Sequence, residues 1–296
     1  MNAYKAVIFD IGGVVMRSPF IAIAAYERQL GLPANYLNTS MSLFASFYAL
    51  APPHLVERGS NGAWQRFERG ELALLPFYDE FSRDLSDTVN GNRWYQAYCK
   101  RKEIRSLSSV PPTARNCVRR RARALWFDDA RSGFLRPPHS PRHPQNTRQV
   151  KYASPASAAG KGIKIIALTN NFAQTSSSNS IPQSELEFLG WDKQGGAAPA
   201  SLRGLFDDFC DSSELGARKP EPRFYKMALE RNGLEAHQVV FLDDIGINLK
   251  AAKQLGMETI HVPLGGNLSA ARQLEAKLGI DLTSNPTEEE STMAKL

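Results

Sequence analysis

Three short runs of apolar residues lack the polar alternation that marks a strand with one face in water. They cover residues 6–9 (AVIF), 163–168 (IKIIAL) and 239–242 (VVFL). Runs of this kind are typical of strands buried on both faces, as in a parallel sheet. The pattern therefore predicts an α/β fold in which these three strands belong to one sheet.

The chain between the first two runs has a mostly helical pattern. Residues 19–98 contain apolar-rich segments separated by turn residues, and Trp64 is expected in the core of this part, with a place lining the site as the alternative. The remaining predicted elements are strands at 205–210 and 259–262 and helices at 222–232, 249–255 and 270–278.

Polar or charged side chains follow each of the three strands, and a lysine precedes a helix: Asp10; Thr169 and Asn170; Asp243 and Asp244; and Lys219. Open α/β sheets bind ligands at the carboxyl ends of their strands. A buried charge is costly unless it is paired or bound to a metal. Asp10 alone could be a capping residue in a strand-to-loop turn, but the recurrence at three strand ends predicts one site built from distant segments.

The segments around these residues resemble a known family. FDIGGVV at Asp10, ALTNNF at Thr169, RKPEPRFY at Lys219 and FLDDIGINL at Asp243 are similar, in order, to the four motifs of the haloacid dehalogenase-like (HAD) hydrolases. The resemblance extends to the branch with the N-terminal phosphatase domain of soluble epoxide hydrolase and the HAD domain of acyl-CoA dehydrogenase family member ten. It implies a Rossmann-like parallel-sheet core with an inserted helical cap.

The resemblance covers residues 1–98 and 162–282 and leaves a long segment between them. The resemblance predicts a HAD core at 1–17 and 160–282 and a helical cap at 18–100. Composition predicts the other two parts, an irregular Arg/Pro-rich segment at 101–159 and a disordered tail at 283–296.

The net charge of +6 is concentrated in the irregular segment. Residues 100–151 hold 14 Lys and Arg against 3 Asp and Glu, a net charge of +11, so the rest of the chain carries −5. Three interpretations remain open: a disordered insertion, a nucleic-acid-binding arm, or foreign sequence from an incorrect gene model, which we favour. We do not expect a nucleic-acid partner, because no binding motif accompanies the basic run.

The resemblance assigns roles to four residues, two of them catalytic and two that bind the substrate. Asp10 would be the nucleophile that forms an aspartyl-phosphate, which divides hydrolysis into two easier steps. Lys219 would neutralise charge beside Asp10 and the phosphate. The hydroxyl of Thr169 and the backbone of Asn170 would hold phosphate oxygens.

The resemblance also implies a Mg²⁺ site, and this cation prefers oxygen ligands. Asp10, Asp244 and the backbone carbonyl of Gly12 would hold the ion. Asp243 would support the site through hydrogen bonds, and Asn248 would be its partner. A helix N-cap is an equally good interpretation of Asn248.

Gly12 departs from the family pattern. Phosphatases of this family usually carry an Asp at that position, which protonates the leaving group and later activates water. General acid–base catalysis contributes about 10²–10⁴-fold, so we expect a slow phosphatase that works best on good leaving groups.

The sequence thus predicts a Mg²⁺-dependent phosphatase of a small phosphomonoester. One alternative is hydrolysis of a carbon–halogen bond, in which Asp10 attacks carbon without a metal; the paired acids Asp243 and Asp244 argue against it. The others are a non-catalytic HAD-fold binding or regulatory domain, and a product disrupted at 101–160 that does not fold stably.

The three cysteines have no metal-ligand spacing, and their odd number gives no disulfide framework, so an intracellular, reducing compartment is the simplest interpretation. We expect no membrane partner, since no apolar run is long enough to span a bilayer. The last residues, Ala294-Lys295-Leu296, resemble a peroxisomal signal, so we predict a cytoplasmic or peroxisomal location.

Overall fold

The described part of the chain contains one five-stranded parallel sheet. The structure, a computed structural model, describes residues 4–16, 18–40, 61–103, 162–172, 198–264 and 266–283. The order across the sheet is β3-β2-β1-β4-β5, and every neighbouring pair is parallel. The strands are β1 (Ala6–Phe9), β2 (Lys164–Thr169), β3 (Asp208–Asp211), β4 (Val239–Asp243) and β5 (Glu258–His261). The predicted α/β class is therefore confirmed, and the three apolar runs form the three central strands.

Both faces of the sheet are buried against helices, which explains the absence of polar alternation. The helices that follow β2 in the chain are α6 (Ala200–Arg203), α7 (Ser212–Leu215), α8 (Pro222–Asn232), α9 (Gly246–Gln254) and α10 (Asn267–Leu278). Val7 and its neighbours in the sheet pack with side chains of α6 and α10, whereas Ile8 and its neighbours pack with α8 and α9.

Between β1 and β2, the described residues form five further helices, which make up a separate hydrophobic cluster. They are α1 (Pro19–Gln29), α2 (Tyr36–Ser40), α3 (Ala63–Glu68), α4 (Leu74–Ser86) and α5 (Thr88–Lys102). The buried side chains of α4 recur at the spacing of one helical face, from Leu74 through Phe77 and Phe81 to Leu85. Trp64 is only 7% exposed among them, as predicted.

Several predicted boundaries are wrong. Residues 205–207 do not belong to β3: Leu205 and Phe206 form a turn in which their N–H groups donate to the carbonyls of Leu202 and Arg203. Phe206 is buried from that turn, so apolar character indicated burial there but not strand backbone. Helices α9 and α10 each begin three residues earlier than predicted, at Gly246 and Asn267.

Some predictions lie outside the described residues. These are the irregular segment from residue 104 onward and the tail from residue 284, with its Ala294-Lys295-Leu296 end. Among the helices that the structure describes, none has the length and apolar character needed to cross a membrane.

Candidate active site

The ends of the three central strands meet at the carboxyl edge of the sheet. β1 lies between β2 and β4, with Phe9 opposite Ala167 on one side and Leu242 on the other. The N–H of Asp10 donates to the carbonyl of Leu242 at 2.9 Å, which places Asp10 beside the end of β4. Parallel pairing thus brings together residues that are far apart in sequence.

Lys219 is the centre of this cluster. Its Nζ lies 2.7 Å from Oδ1 of Asp10 and 2.8 Å from Oδ2 of Asp243. The lysine is 1% exposed, Asp10 is 6% exposed and Asp243 is fully buried. A cation this deeply buried requires charged partners, and the two strand-end carboxylates supply them.

Asp243 has a full set of hydrogen-bond donors. Its Oδ1 accepts from the N–H of Ile245 at 2.7 Å, and Nδ2 of Asn248 lies 3.1 Å from each carboxylate oxygen. Asn248 lies inside α9, whose N-cap is Ile245, so the N-cap interpretation of Asn248 is wrong. The side chain of Asn248 instead fixes the orientation of the Asp243 carboxylate.

Asn170 joins the loop after β2 to the loop that carries Lys219. Its Oδ1 accepts from the N–H of Lys219 at 2.8 Å, and its Nδ2 donates to the carbonyl of Lys219 at 3.1 Å. Thr169, at the end of β2, is 5% exposed, and its hydroxyl donates to the carbonyl of Asn170 over 3.4 Å. The sequence pointed to the backbone of Asn170 but not to this use of its side chain.

Asp244 completes an acidic cluster with a carboxylate oxygen that lacks a partner. Carboxylate oxygens of Asp10, Asp243 and Asp244 all lie within 4.8 Å of one another. Oδ2 of Asp244 accepts from the hydroxyl of Ser18 at 3.2 Å, whereas Oδ1 is buried without a hydrogen-bond partner. A Cβ at Gly13 would fall 2.0 Å from Oδ2, so only glycine leaves room for this carboxylate.

Three carboxyl groups share one lysine in this cluster, and the pKa of two of them is raised. Burial raises the pKa of Asp10 well above its usual range, Lys219 opposes the rise, and Asp243 and Asp244 add to it. Burial, followed by the charge of Asp243, raises the pKa of Asp244 to about 7. Burial acts to lower the pKa of Lys219, but Asp10 and Asp243 outweigh it and the pKa is raised. Three carboxylates around one lysine, one with a buried unpartnered oxygen, match the oxygen ligands that Mg²⁺ prefers.

Gly12 contributes no side chain to the cluster, although the backbone has room for one. A Cβ built there would meet only Cδ of Pro19, at an ordinary contact distance of 3.5 Å. Nε2 of His261 lies 3.2 Å from the backbone carbonyl of Asp244, and its ring is exposed. His237 directly precedes β4 and thus lies at the amino ends of the strands, away from the site.

The residues that support the loop after β2 were not among the predicted site residues. Asp211, fully buried at the end of β3, accepts from Nδ2 of Asn171 at 2.7 Å. The hydroxyl of Ser212 accepts from the N–H of Asn171 at 2.9 Å. Asp211 could have been found by the rule that singled out Asp10, because it also ends a buried strand.

Comparisons with known proteins give a family model and several relatives. The model, described as haloacid dehalogenase-like hydrolase, matches residues 152–256. Acyl-CoA dehydrogenase family member 10 of Mus musculus is 28% identical over 95% of this chain and 20% of its own length. Bifunctional epoxide hydrolase 2 of Sus scrofa is 26% identical over 96% of this chain and 40% of its own length. The chain thus spans between a fifth and two fifths of these two relatives. A sesquiterpene phosphatase of Aspergillus oryzae is 22% identical over 94% of this chain and 98% of its own length.

Proposed function

Because the chain belongs to the haloacid dehalogenase-like hydrolases, we propose that it is a Mg²⁺-dependent phosphatase acting on a small phosphomonoester. The observation that carries the proposal is Lys219, buried between Asp10 and Asp243 at 2.7 and 2.8 Å. Asp244 beside them has a buried oxygen without a partner. Attack on a phosphate dianion requires a carboxylate nucleophile, a fixed cation and a place for a second cation.

In the proposed reaction, a carboxylate oxygen of Asp10 attacks phosphorus. A bond forms between that oxygen and phosphorus, the bond from phosphorus to the leaving oxygen breaks, and an acyl phosphate results. Water then cleaves the acyl phosphate, which releases inorganic phosphate and restores Asp10. Lys219 stabilises the charge that develops on the phosphate oxygens, because its ammonium is fixed in place before the reaction begins.

Two other groups would bind the phosphate. The hydroxyl of Thr169 and the backbone N–H of Asn170 are assigned to phosphate oxygens. The support for this assignment is their position at the end of β2, next to the strand that carries Asp10. Asn170 is also fixed to the Lys219 loop through two side-chain hydrogen bonds, so both contacts would move together with the lysine.

Asp10, Asp244 and the carbonyl of Gly12 are the groups we assign to Mg²⁺, with Asp243 and Asn248 as their hydrogen-bonding support. A bound Mg²⁺ would neutralise phosphate charge and lower the repulsion between substrate and the Asp10 carboxylate. The fit rests on the three clustered carboxyl groups and on the unpartnered oxygen of Asp244. We further propose that residues 18–100 form the cap and select the substrate.

Release of a phenol from an aryl phosphate tests the proposed function. The purified protein is assayed with Mg²⁺ and, separately, with a chelator. We expect release that depends on the metal. Tight Mg²⁺ binding without release would instead support a non-catalytic HAD-fold domain, and metal-independent release of halide from a haloacid would support a dehalogenase.

The Gly12→Asp variant is expected to speed hydrolysis of phosphates with poor leaving groups. The new carboxyl could protonate the leaving oxygen and activate water, which contributes on the order of 10² to 10⁴-fold. The space at Gly12 makes the variant structurally feasible. The kcat for an alkyl phosphate and for an aryl phosphate is measured, and the alkyl phosphate should gain more.

Gly12→Asn is the matched control, because it has the same shape and cannot transfer the proton. An equal gain in both variants, or no gain in Gly12→Asp, would reject the view that a missing acid/base limits the rate.

A further inference from the structure

The C-terminal end of α3 lies directly against the loop that carries Arg218 and against the start of α7. The carboxylate of Glu68 accepts from Nε of Arg218, and its backbone carbonyl accepts from the hydroxyl of Ser212 at 2.5 Å. The turn that follows is equally close: a Cβ at Gly70 would fall 2.6 Å from the carbonyl of Ser213. Glu68 thus contacts the Arg218 loop through its side chain and the start of α7 through its backbone.

Each of these two segments leads to the candidate active site. Arg218 directly precedes Lys219. Ser212, the first residue of α7, accepts from the N–H of Asn171, the residue after Asn170. The loop after β2 and the loop of Lys219 are also joined to each other, because the side chain of Asn170 bonds both backbone groups of Lys219. Glu68 therefore contacts the residue before the lysine directly and is connected to Asn171 through two hydrogen bonds, both made by Ser212.

The ion pair of Glu68 is well shielded from water. Glu68 is 4% exposed, and the side chain of Arg218 is 11% exposed. Burying such a pair gains little net stability, since the desolvation cost offsets the attraction, but removal of one partner leaves an uncompensated charge. A buried ion pair at this place constrains geometry more than it adds to the free energy of unfolding.

Phe172 gives a second, apolar connection between the same parts. It follows Asn171, and its ring stacks on Phe67 with centroids 4.8 Å apart and packs edge-on against Trp64 at 5.2 Å. The segment after β2 therefore begins at Thr169 in the candidate site and reaches the hydrophobic cluster of α3 and α4 within three residues. Movement of α3 would be transmitted to the Lys219 loop and to the loop after β2.

We propose that Glu68 is a positioning residue for the reaction. It holds the loops of Lys219 and Asn170 in the relative position that a phosphoryl group needs, so that docking of α3 on the sheet domain completes the site. The inference rests on the proposed function for its catalytic consequence. We call the contacts of Glu68 with Arg218 and Ser212 the Glu68 clamp. Its effect on the two loops can also be measured without turnover.

Glu68→Gln tests the clamp, because glutamine keeps the shape but loses the charge. Hydrogen exchange is measured for the amides of Asn171 and Lys219, whose acceptors are the side chains of Ser212 and Asn170. Both amides should exchange faster in the variant. With aryl phosphate and Mg²⁺, kcat should fall by about tenfold to 10²-fold, as expected for a small misplacement of catalytic groups, with a smaller change in KM.

The matched control is Glu80→Gln. Glu80 pairs with Arg66, a residue of α3, so this variant breaks a carboxylate–arginine pair within the helical part. It should leave the exchange of both amides and kcat unchanged. If the amide exchange rates and kcat of Glu68→Gln equal those of Glu80→Gln, the positioning role is wrong.

Two further outcomes are decisive. If the wild-type protein lacks phosphatase activity but Glu68→Gln still accelerates exchange of both amides, the clamp is supported and the proposed function fails. If Glu68→Gln does not fold, the double variant Glu68→Gln/Arg218→Gln replaces it, because no unpaired charge remains. The double variant should fold and show the same faster exchange, and wild-type exchange in it would overturn the proposal.

Discussion

Asp10→Asn is expected to lower kcat for aryl phosphate by roughly 10⁶-fold, the scale of loss when an enzymic nucleophile is removed. The amide has no oxygen able to form the acyl phosphate. The fold should survive, since asparagine has the same shape and Lys219 keeps its contact with Asp243 at 2.8 Å. The unfolding temperature without metal should be unchanged or higher, because one of three neighbouring carboxylates is removed. Steady-state kinetics and thermal unfolding measure both effects.

Asp208→Asn is the control for this variant. Asp208 is the first residue of β3 and thus lies at the amino ends of the strands, away from Asp10. There it pairs with Arg231 at 2.9 Å. Its loss should leave kcat within a small factor of the wild type. Retained turnover in Asp10→Asn would reject the assignment of Asp10 as the nucleophile.

Lys219→Met is expected to have the largest effect on stability, a loss of about 3–5 kcal/mol in the free energy of unfolding. The variant removes a 1%-exposed cation and leaves Asp10 and Asp243 buried without their common partner. Turnover should also be lost, because the fixed charge beside the phosphate is gone. Denaturant unfolding without metal measures the change in stability.

The double variant Lys219→Met/Asp243→Asn separates the two effects of the lysine. It should recover part of the lost stability, since one unpaired carboxylate has been removed, but none of the activity. Lys253→Met, on the exposed side of α9, is the surface control and should change stability by less than about 0.5 kcal/mol. Wild-type stability in Lys219→Met would contradict the buried charge cluster.

The sequence predicted the sheet because its central strands are buried on both faces. In Val7 and Ile8 that burial appears directly as an uninterrupted apolar run. The ends of those strands could also be predicted, since Asp10 and Asp243 follow the runs without a break. The same reasoning failed at Leu205 and Phe206, where the residues are apolar and packed but the backbone forms a turn.

The supporting contacts could not be predicted from the sequence. Ser212 and Glu68 are 144 residues apart in the chain, and no motif or spacing in the sequence connects them. Their contact depends on how α3 docks on the sheet, which no local pattern records. The pairing of the Asn170 side chain with the backbone of Lys219 depends in the same way on the meeting of two loops.

The absence of a side chain at Gly12 has a consequence that can be observed. Without an acid/base group to activate water, the second step of the proposed reaction is expected to slow, so the acyl phosphate should accumulate. A slow enzyme is inconvenient for kinetics but favourable for detection of this intermediate.

Trapping of that intermediate tests the central claim most directly. The protein is incubated with aryl phosphate and Mg²⁺ and treated with borohydride, which reduces an acyl phosphate to an alcohol. Peptide mass spectrometry should then find homoserine in place of Asp10, and none should form with a chelator present. Hydrolysis of the substrate with Asp10 unmodified under these conditions would contradict the account.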